Sequence, residues 1–297
     1  MLNTASPREI ELKFALGADA ERLLPAHPRL ADMTASVHQL ANTYFDTPER
    51  DLEKARVALR LRRDGDRIVQ TVKTAGQGQG GLHERGEWEW PRDEECLDTE
   101  GLARLGLPVF EQASVREALV PVYRTDFERH VWQLPLDTNN AVEVAFDRGE
   151  IVAGEHRTPI FELELELRGS EPALLWQLAE ALADSVPMRP SNTSKAERAV
   201  ALREQHWPLP ECQLDSPEHC LERALTALDA WQDTGETRYL FTARRAFESL
   251  TRHDDPALAT LAARLASHLN QRAWLDSEFG RLSLMLLSHL RASASAA

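Results

Sequence analysis

Charged and large apolar residues alternate along segment after segment of the N-terminal part of this chain, which limits those segments to strands with two unlike faces. Glu9, Glu11 and Lys13 share one face of the first segment, while Ile10, Leu12 and Phe14 share the other. Val57 to Arg62 sets Arg60 and Arg62 against Leu59 and Leu61. Ile68 to Lys73 follows the turn-forming Asp64-Gly65-Asp66. Glu84 to Trp90 opposes Arg85, Glu87 and Glu89 to Trp88 and Trp90. Arg124 to Leu134, Ala141 to Arg148 and Ile160 to Leu167 continue the series, the last with Glu162, Glu164 and Glu166 in one row. Turn signals fall at Gly76 to Gly81, Asn139-Asn140 and Gly149. Helical spacing covers residues 18–24 and, more strongly, 172–186. A Ser194/Glu197 capping box places Lys195 in the first turn of another helix.

A single charged row is ordinarily a solvated outer face. Here there are many, and nearly all are backed by large apolar residues. If the apolar faces point outward against helices, the charged faces line a lumen. Small barrels fill that space with apolar side chains. A lumen of mixed charge must instead hold water and ligand, because unpaired buried charges are costly. Carboxylate clusters suit Mg²⁺ or Mn²⁺, and arginine forks suit phosphate oxygens.

The net charge of −14 argues against a nucleic-acid surface, and a polyanion could bind only where basic groups are focused or metal intervenes. Of 34 basic residues only Lys13, Lys54, Lys73 and Lys195 are lysines. Three of these fall on the segments just described. No apolar run approaches the ~20 residues of a membrane-spanning helix. The opening residues do not read as a signal peptide. Cys96, Cys212 and Cys220 read as ordinary thiols of a reducing cytoplasm, with neither disulfide nor zinc site expected. The glycines at 76–81 are not a Walker A loop, and no Ser/His/Asp or Cys/His set stands out.

Taken in order, Glu9-Ile10-Glu11-Leu12-Lys13, Asn42 to Pro48, Leu59 to Arg62, Val72-Lys73-Thr74, Gly80 to Arg85, Thr125 to Arg129, Glu143 to Glu150, Phe161 to Leu167 and Ser194-Lys195 resemble the CYTH superfamily of triphosphate tunnel metalloenzymes. The resemblance covers roughly residues 8–205. It is strongest to bacterial inorganic triphosphatases in which a CYTH domain precedes a helical CHAD domain. It implies an α+β fold: an eight-stranded antiparallel β-barrel with flanking helices, followed by a small all-α region. Arg60, Arg62, Lys73, Arg85 and Arg129 would cradle triphosphate oxygens, with Arg124 the competitor to Arg129. Glu164 and Glu166 with Asp147 would hold Mg²⁺ or Mn²⁺, Glu162 being the alternative to one of them. Glu9 and Glu11 would bind a second metal or orient water. Lys13 would neutralise the phosphate under attack, and Lys195 would reach the substrate end. The implied reaction is metal-dependent hydrolysis of inorganic triphosphate to pyrophosphate and phosphate. Thiamine triphosphatase, class IV adenylyl cyclase and a non-catalytic polyphosphate-binding module are the alternatives.

From Ser216 onward the pattern is helical, with helices expected near 217–233, 237–252, 256–270 and 272–291. The organisation read from the sequence is a tunnel domain at 1–206, a Pro-rich linker at 207–215 and a helical region at 216–297. That last region is a shortened CHAD-like unit or an unrelated bundle. Its leucine stripes are read as bundle core, with a homodimer surface as the second reading.

Overall fold

The computed structural model describes residues 8–74, 77–79, 82–212 and 216–296, without the side chains of 8, 77–79, 82–85 and 293–296. The strands are β1 (Arg8–Leu16), β2 (Ser36–Asp46), β3 (Val57–Asp64), β4 (Arg67–Thr74), β5 (Gln77–Gln79), β6 (Leu82–Arg92), β7 (Val120–Pro135), β8 (Ala141–Ala153), β9 (His156–Arg168) and β10 (Met188–Pro190). The short helices α1 (Ala20–Leu23), α2 (Asp51–Lys54), α3 (Thr99–Arg104), α4 (Pro108–Glu111) and α5 (Ala113–Glu117) connect strands. α6 (Ala173–Ala183) and α7 (Lys195–Glu204) flank β10 in sequence, and α8 (Pro217–Thr234), α9 (Thr237–Leu250), α10 (Pro256–His268) and α11 (Ser277–Ala296) follow.

Every pairing is antiparallel. The order β1-β9-β8-β7-β2-β3-β4-β6 returns to β1 through an additional β1–β6 pairing, so eight strands form a closed circuit. On that edge β1 pairs β6 through Arg8 to Leu12 and β10 through Phe14 to Leu16. β5 extends β6 as a short hairpin partner. Gly149 lets β8 cross closely over β7, since a Cβ there would stand 2.1 Å from the Asp126 carbonyl oxygen.

Period-two alternation sends the apolar side chains outward, as the charged rows require. Leu12, Phe14, Val142, Val144, Leu163 and Leu165 pack in one continuous cluster with α6 and with leucines of α8, α10 and α11. Smaller clusters seat α7 against Phe127, Ile151 and Ile160, and α3 and α4 against Leu59, Val72 and Trp90. The apolar core therefore lies around the barrel, and the lumen is left to polar groups.

β2 is the barrel strand that charge alternation did not reveal, because its exposed and buried positions mix Ser, His, Gln, Asn and aromatics. The 99–117 helices were likewise not anticipated. α11 begins at Ser277, not near 272, and α9 ends at Leu250. One expectation is corrected outright: Cys212 and Cys220 are joined as a disulfide, with Cα atoms 4.6 Å apart, and Cys96 alone is a free thiol. Cys212 lies against the first turn of α8, which carries Cys220. With that pairing the cysteines no longer speak for a reducing compartment. Among the described residues no helix is long and apolar enough to cross a membrane.

Candidate active site

A cavity of about 930 Å³ runs from the barrel lumen out toward α2, α7 and α8; its inner part is lined by Glu9, Glu11 and Lys13 of β1, Arg60 and Arg62 of β3, Lys73 of β4, Arg129 of β7 and Glu164 and Glu166 of β9. Lys195 enters it from the first turn of α7. Ser194 builds the reciprocal capping box with Glu197 that starts this helix.

Strand register stacks the groups of one wall in layers. In the first layer Glu11 stands opposite Glu166, and Glu166 opposite Glu143. Two residues along, Lys13 faces Glu164, which faces Ala145. In the third, Ala15 faces Glu162 and Glu162 faces Asp147.

The third layer and Glu164 form a compact acidic cluster in which Asp147, Glu162 and Glu164 each offer an oxygen within 4.8 Å of the others. Asp147 is fully buried and Glu162 nearly so. Cations already occupy the cluster. Lys195 Nζ lies 2.7 Å from Asp147, 2.5 Å from Glu162 and 2.8 Å from Glu164. Arg129 donates twice to Asp147, each at 2.7 Å, and also to Glu164. Burial alone would raise the Glu164 carboxyl, but Lys195 and Arg129 outweigh it and hold it well below the usual carboxylate range. The same carboxylates drive the Lys195 ammonium upward against its own burial.

The first layer sets carboxylates side by side. Like charges directly opposite one another on neighbouring strands repel. Burial, with Glu9 and Glu143 nearby, pushes Glu166 up to about 8 despite Arg168 at 2.8 Å. Glu9 accepts from Lys73 Nζ at 2.9 and 3.0 Å, and Glu87 lies 3.1 Å from the same ammonium. Glu166 thus joins Glu9, Glu11 and Glu143, and the Asp147 cluster takes Glu162 and Glu164.

Across the lumen the balance reverses. Arg62 donates from Nε to the Asn42 amide oxygen at 2.8 Å, and among the described residues no carboxylate pairs with it. Burial and the charges of Arg60 and Arg129 push Arg62 down to about 10. Arg60 reaches Glu89 at 3.4 Å and Glu87 at 3.7 Å. Burial raises the Tyr44 phenol, yet Arg60 and Arg62 outweigh it and leave it below the ordinary tyrosine value. Lys13 is 2% exposed and donates to the Thr193 carbonyl. Arg124 is exposed and pairs with Asp126, so Arg129 is the inward arginine of β7. The Arg85 side chain lies outside the described residues, although its backbone pairs with Glu9.

Sequence reasoning missed Arg198. Its guanidinium is buried and links Glu162, at 3.2 Å, to Asp233, at 2.6 Å. The signal was present: Arg198 lies three residues after Lys195, on the same helix face. Tyr44 and Arg168 were also overlooked as lining residues.

Such an arrangement can hold an extended polyanion on one wall and a cation on the other. The CYTH domain model matches residues 7–200, and the chain belongs to that family. Over 198 residues it is 37% identical to the inorganic triphosphatase of Haemophilus influenzae, which takes in 66% of this chain and 55% of that one. The chain thus spans about half the length of this curated relative. Among solved structures, a Hippeastrum protein described as having a dominant triphosphatase activity is 20% identical, with 67% of this chain and 96% of that one aligned and a TM-score of 0.49. The PH1819 protein of Pyrococcus horikoshii is 18% identical over 65% of this chain and 98% of that one, with a TM-score of 0.42.

Proposed function

We propose that this protein hydrolyses inorganic triphosphate to pyrophosphate and phosphate, with Mg²⁺ or Mn²⁺ as the required cation. One observation carries the reading: one cavity sets Arg62, with which no carboxylate among the described residues pairs, across from a layer in which Glu11, Glu166 and Glu143 stand side by side. A linear triphosphate and a divalent cation would relieve both at once. The name of the Haemophilus influenzae relative supports the substrate.

The donor set fits the cation, since hard oxygen ligands are what Mg²⁺ and Mn²⁺ take. Glu11 and Glu166 would hold it. Asp147, Glu162 and Glu164 would do so only if Lys195 withdrew. When bound, the cation neutralises phosphate oxygens as a Lewis acid.

The chain's own groups do the positioning on which phosphoryl transfer depends. Arg62, Arg60 and Arg129 would grip the oxygens with planar forks. Lys73 and Lys13 would neutralise charge gathering on the phosphorus under attack and on the leaving oxygen. A carboxylate of the Glu9/Glu11 pair not bound to metal would orient the attacking water. The bond formed is from water oxygen to terminal phosphorus, and the bond broken is the adjacent anhydride, releasing pyrophosphate. The surrounding barrel wall thins out bulk water and so strengthens each charge contact.

The test is a turnover panel of tripolyphosphate, thiamine triphosphate and ATP, each with Mg²⁺, Mn²⁺ or chelator. Preferred, chelator-sensitive phosphate release from tripolyphosphate is expected. Fast cyclic AMP formation from ATP with slow tripolyphosphate release would replace the reading with a cyclase.

A further inference from the structure

Two carboxylates of α8, Asp229 and Asp233, reach the lumen's lysines from outside the 7–200 segment matched by the family model. They stand one helical turn apart, so they share a face. Asp229 is 4% exposed. One of its oxygens accepts from Arg189 Nη1 at 2.6 Å. The other accepts the backbone N–H groups of Asn192 and Thr193, both at 3.0 Å, and the Thr193 hydroxyl at 2.9 Å. The carbonyl of that same Thr193 receives Lys13 Nζ. Asp229 therefore fixes the extended segment that fixes Lys13.

Asp233 makes the second connection. Its side chain is 1% exposed and accepts from Arg198 Nε at 2.9 Å and Nη2 at 2.6 Å, from Thr158 Oγ1 at 3.2 Å and from Trp207 Nε1 at 3.2 Å. Arg198 Nη1 in turn donates to Glu162 at 3.2 Å, and Glu162 lies 2.5 Å from Lys195 Nζ. The chain of contacts runs Asp233, Arg198, Glu162, Lys195 without a gap.

Burying two carboxylates and two arginines to fasten a helix to a barrel is expensive, and apolar residues of similar volume would fasten it at least as well. What apolar residues could not do is aim an ammonium group. We propose that α8 is a positioning element of the active site, in which Asp229 sets Lys13 through the Asn192–Thr193 segment and Asp233 sets Lys195 through Arg198 and Glu162. The helical region then completes the tunnel and is no mere appendage to it. This rests on the triphosphatase reading for its catalytic consequence, though not for its geometry.

The test compares the full chain with Asp229→Asn, Asp233→Asn and, as a control, Gln232→Ala. Gln232 also lies on α8 and accepts from Arg189 at 2.9 Å; that arginine links it to Asp229, while the bonds to the Asn192–Thr193 segment and to Arg198 are made by Asp229 and Asp233. The chain's four lysines make a substrate-free readout practical: Nζ–Cε correlation spectra of lysine-labelled protein. Asp229→Asn should move the Lys13 signal and Asp233→Asn the Lys195 signal, leaving Lys54 in place. Gln232→Ala should move none of them. In tripolyphosphate hydrolysis the two Asn variants should lose roughly 10- to 100-fold in kcat with KM little changed, and Asp233→Glu should recover part of the loss. Should an Asn variant not fold, Thr193→Val and Arg198→Lys keep the carboxylates and probe the same links. Unmoved lysine signals in folded variants would overturn the proposal, as would a kcat loss equalled by Gln232→Ala. Absence of turnover in the unmodified protein would instead count against the substrate, and the spectra would still decide the positioning.

Discussion

Arg62 leans on Asn42 instead of a carboxylate: its Nε donates to the amide oxygen over 2.8 Å, from a position flanked by Arg60 and Arg129. A half-buried cation of this kind, with no carboxylate among the described residues against it, lowers the stability of the ligand-free protein and waits for an anion. Arg62→Gln should therefore raise the melting temperature of the ligand-free protein while weakening tripolyphosphate binding. Unaltered protein should gain about 2.7 kcal/mol from ligand at a hundred times Kd, and the variant much less at the same concentration. Thermal unfolding with and without tripolyphosphate measures both. A variant that melts lower, yet gains as much from ligand, would contradict this role.

Glu166 sets the pH dependence of the ligand-free protein. Its folded value, raised to about 8, exceeds its unfolded value near 4.5. The folded state thus holds a proton that the unfolded state has lost between those limits, and stability must fall as pH rises from about 4.5 to 8. Divalent cation opposes this by favouring the charged form, so Mg²⁺ or Mn²⁺ should bind more tightly as pH rises through that window. Denaturant titrations at several pH values should show the decline in chelator and its weakening in Mg²⁺. Glu166→Gln should remove most of the slope.

Lys195 keeps three carboxylates together. Its removal in Lys195→Ala leaves Asp147, Glu162 and Glu164 to Arg129, Arg198 and the nearby Lys13. The loss of one partner from such a buried group costs about 3–5 kcal/mol. The vacated place is lined by oxygen ligands within 4.8 Å of each other. Mn²⁺ should bind there, and electron paramagnetic resonance should count more bound Mn²⁺ in the variant than in the unaltered chain.

Much of this was legible in residue order. Glu9, Glu11 and Lys13 face inward because period two leaves them no choice once Leu12 and Phe14 are core. The same logic places Arg60, Arg62, Glu164 and Glu166. What alternation cannot give is the partner of each charge, because register between distant strands decides it. Glu162, Glu164 and Glu166 look equivalent along β9. Register puts Glu166 beside Glu11 and Glu143, and Glu162 beside Asp147. Arg198 and Asp233 were hidden for a related reason: both lie on amphipathic helices, where a charge is normally read as solvated. The disulfide escaped because Cys212 and Cys220 stand eight residues apart across a linker, a spacing that means little until the chain turns back.

That disulfide has its own consequence. Under oxidising conditions only Cys96 should react with a thiol reagent in the folded protein, and reduction should expose the other pair. A loop this short contributes roughly 2–3 kcal/mol by restricting the unfolded chain. Thiol counting, paired with thermal melts in the presence and absence of reductant, checks both statements.

The account depends on opposite walls of one lumen taking an anion and a cation together. The most direct measurement is a crystal of the full chain grown with tripolyphosphate and Mn²⁺, with data collected at the manganese absorption edge. A phosphate chain lying against Arg62, Arg60 and Arg129, with an anomalous peak beside Glu11 and Glu166, is the predicted result. Phosphate and manganese bound only on the outer surface, with the lumen holding solvent alone, would contradict it.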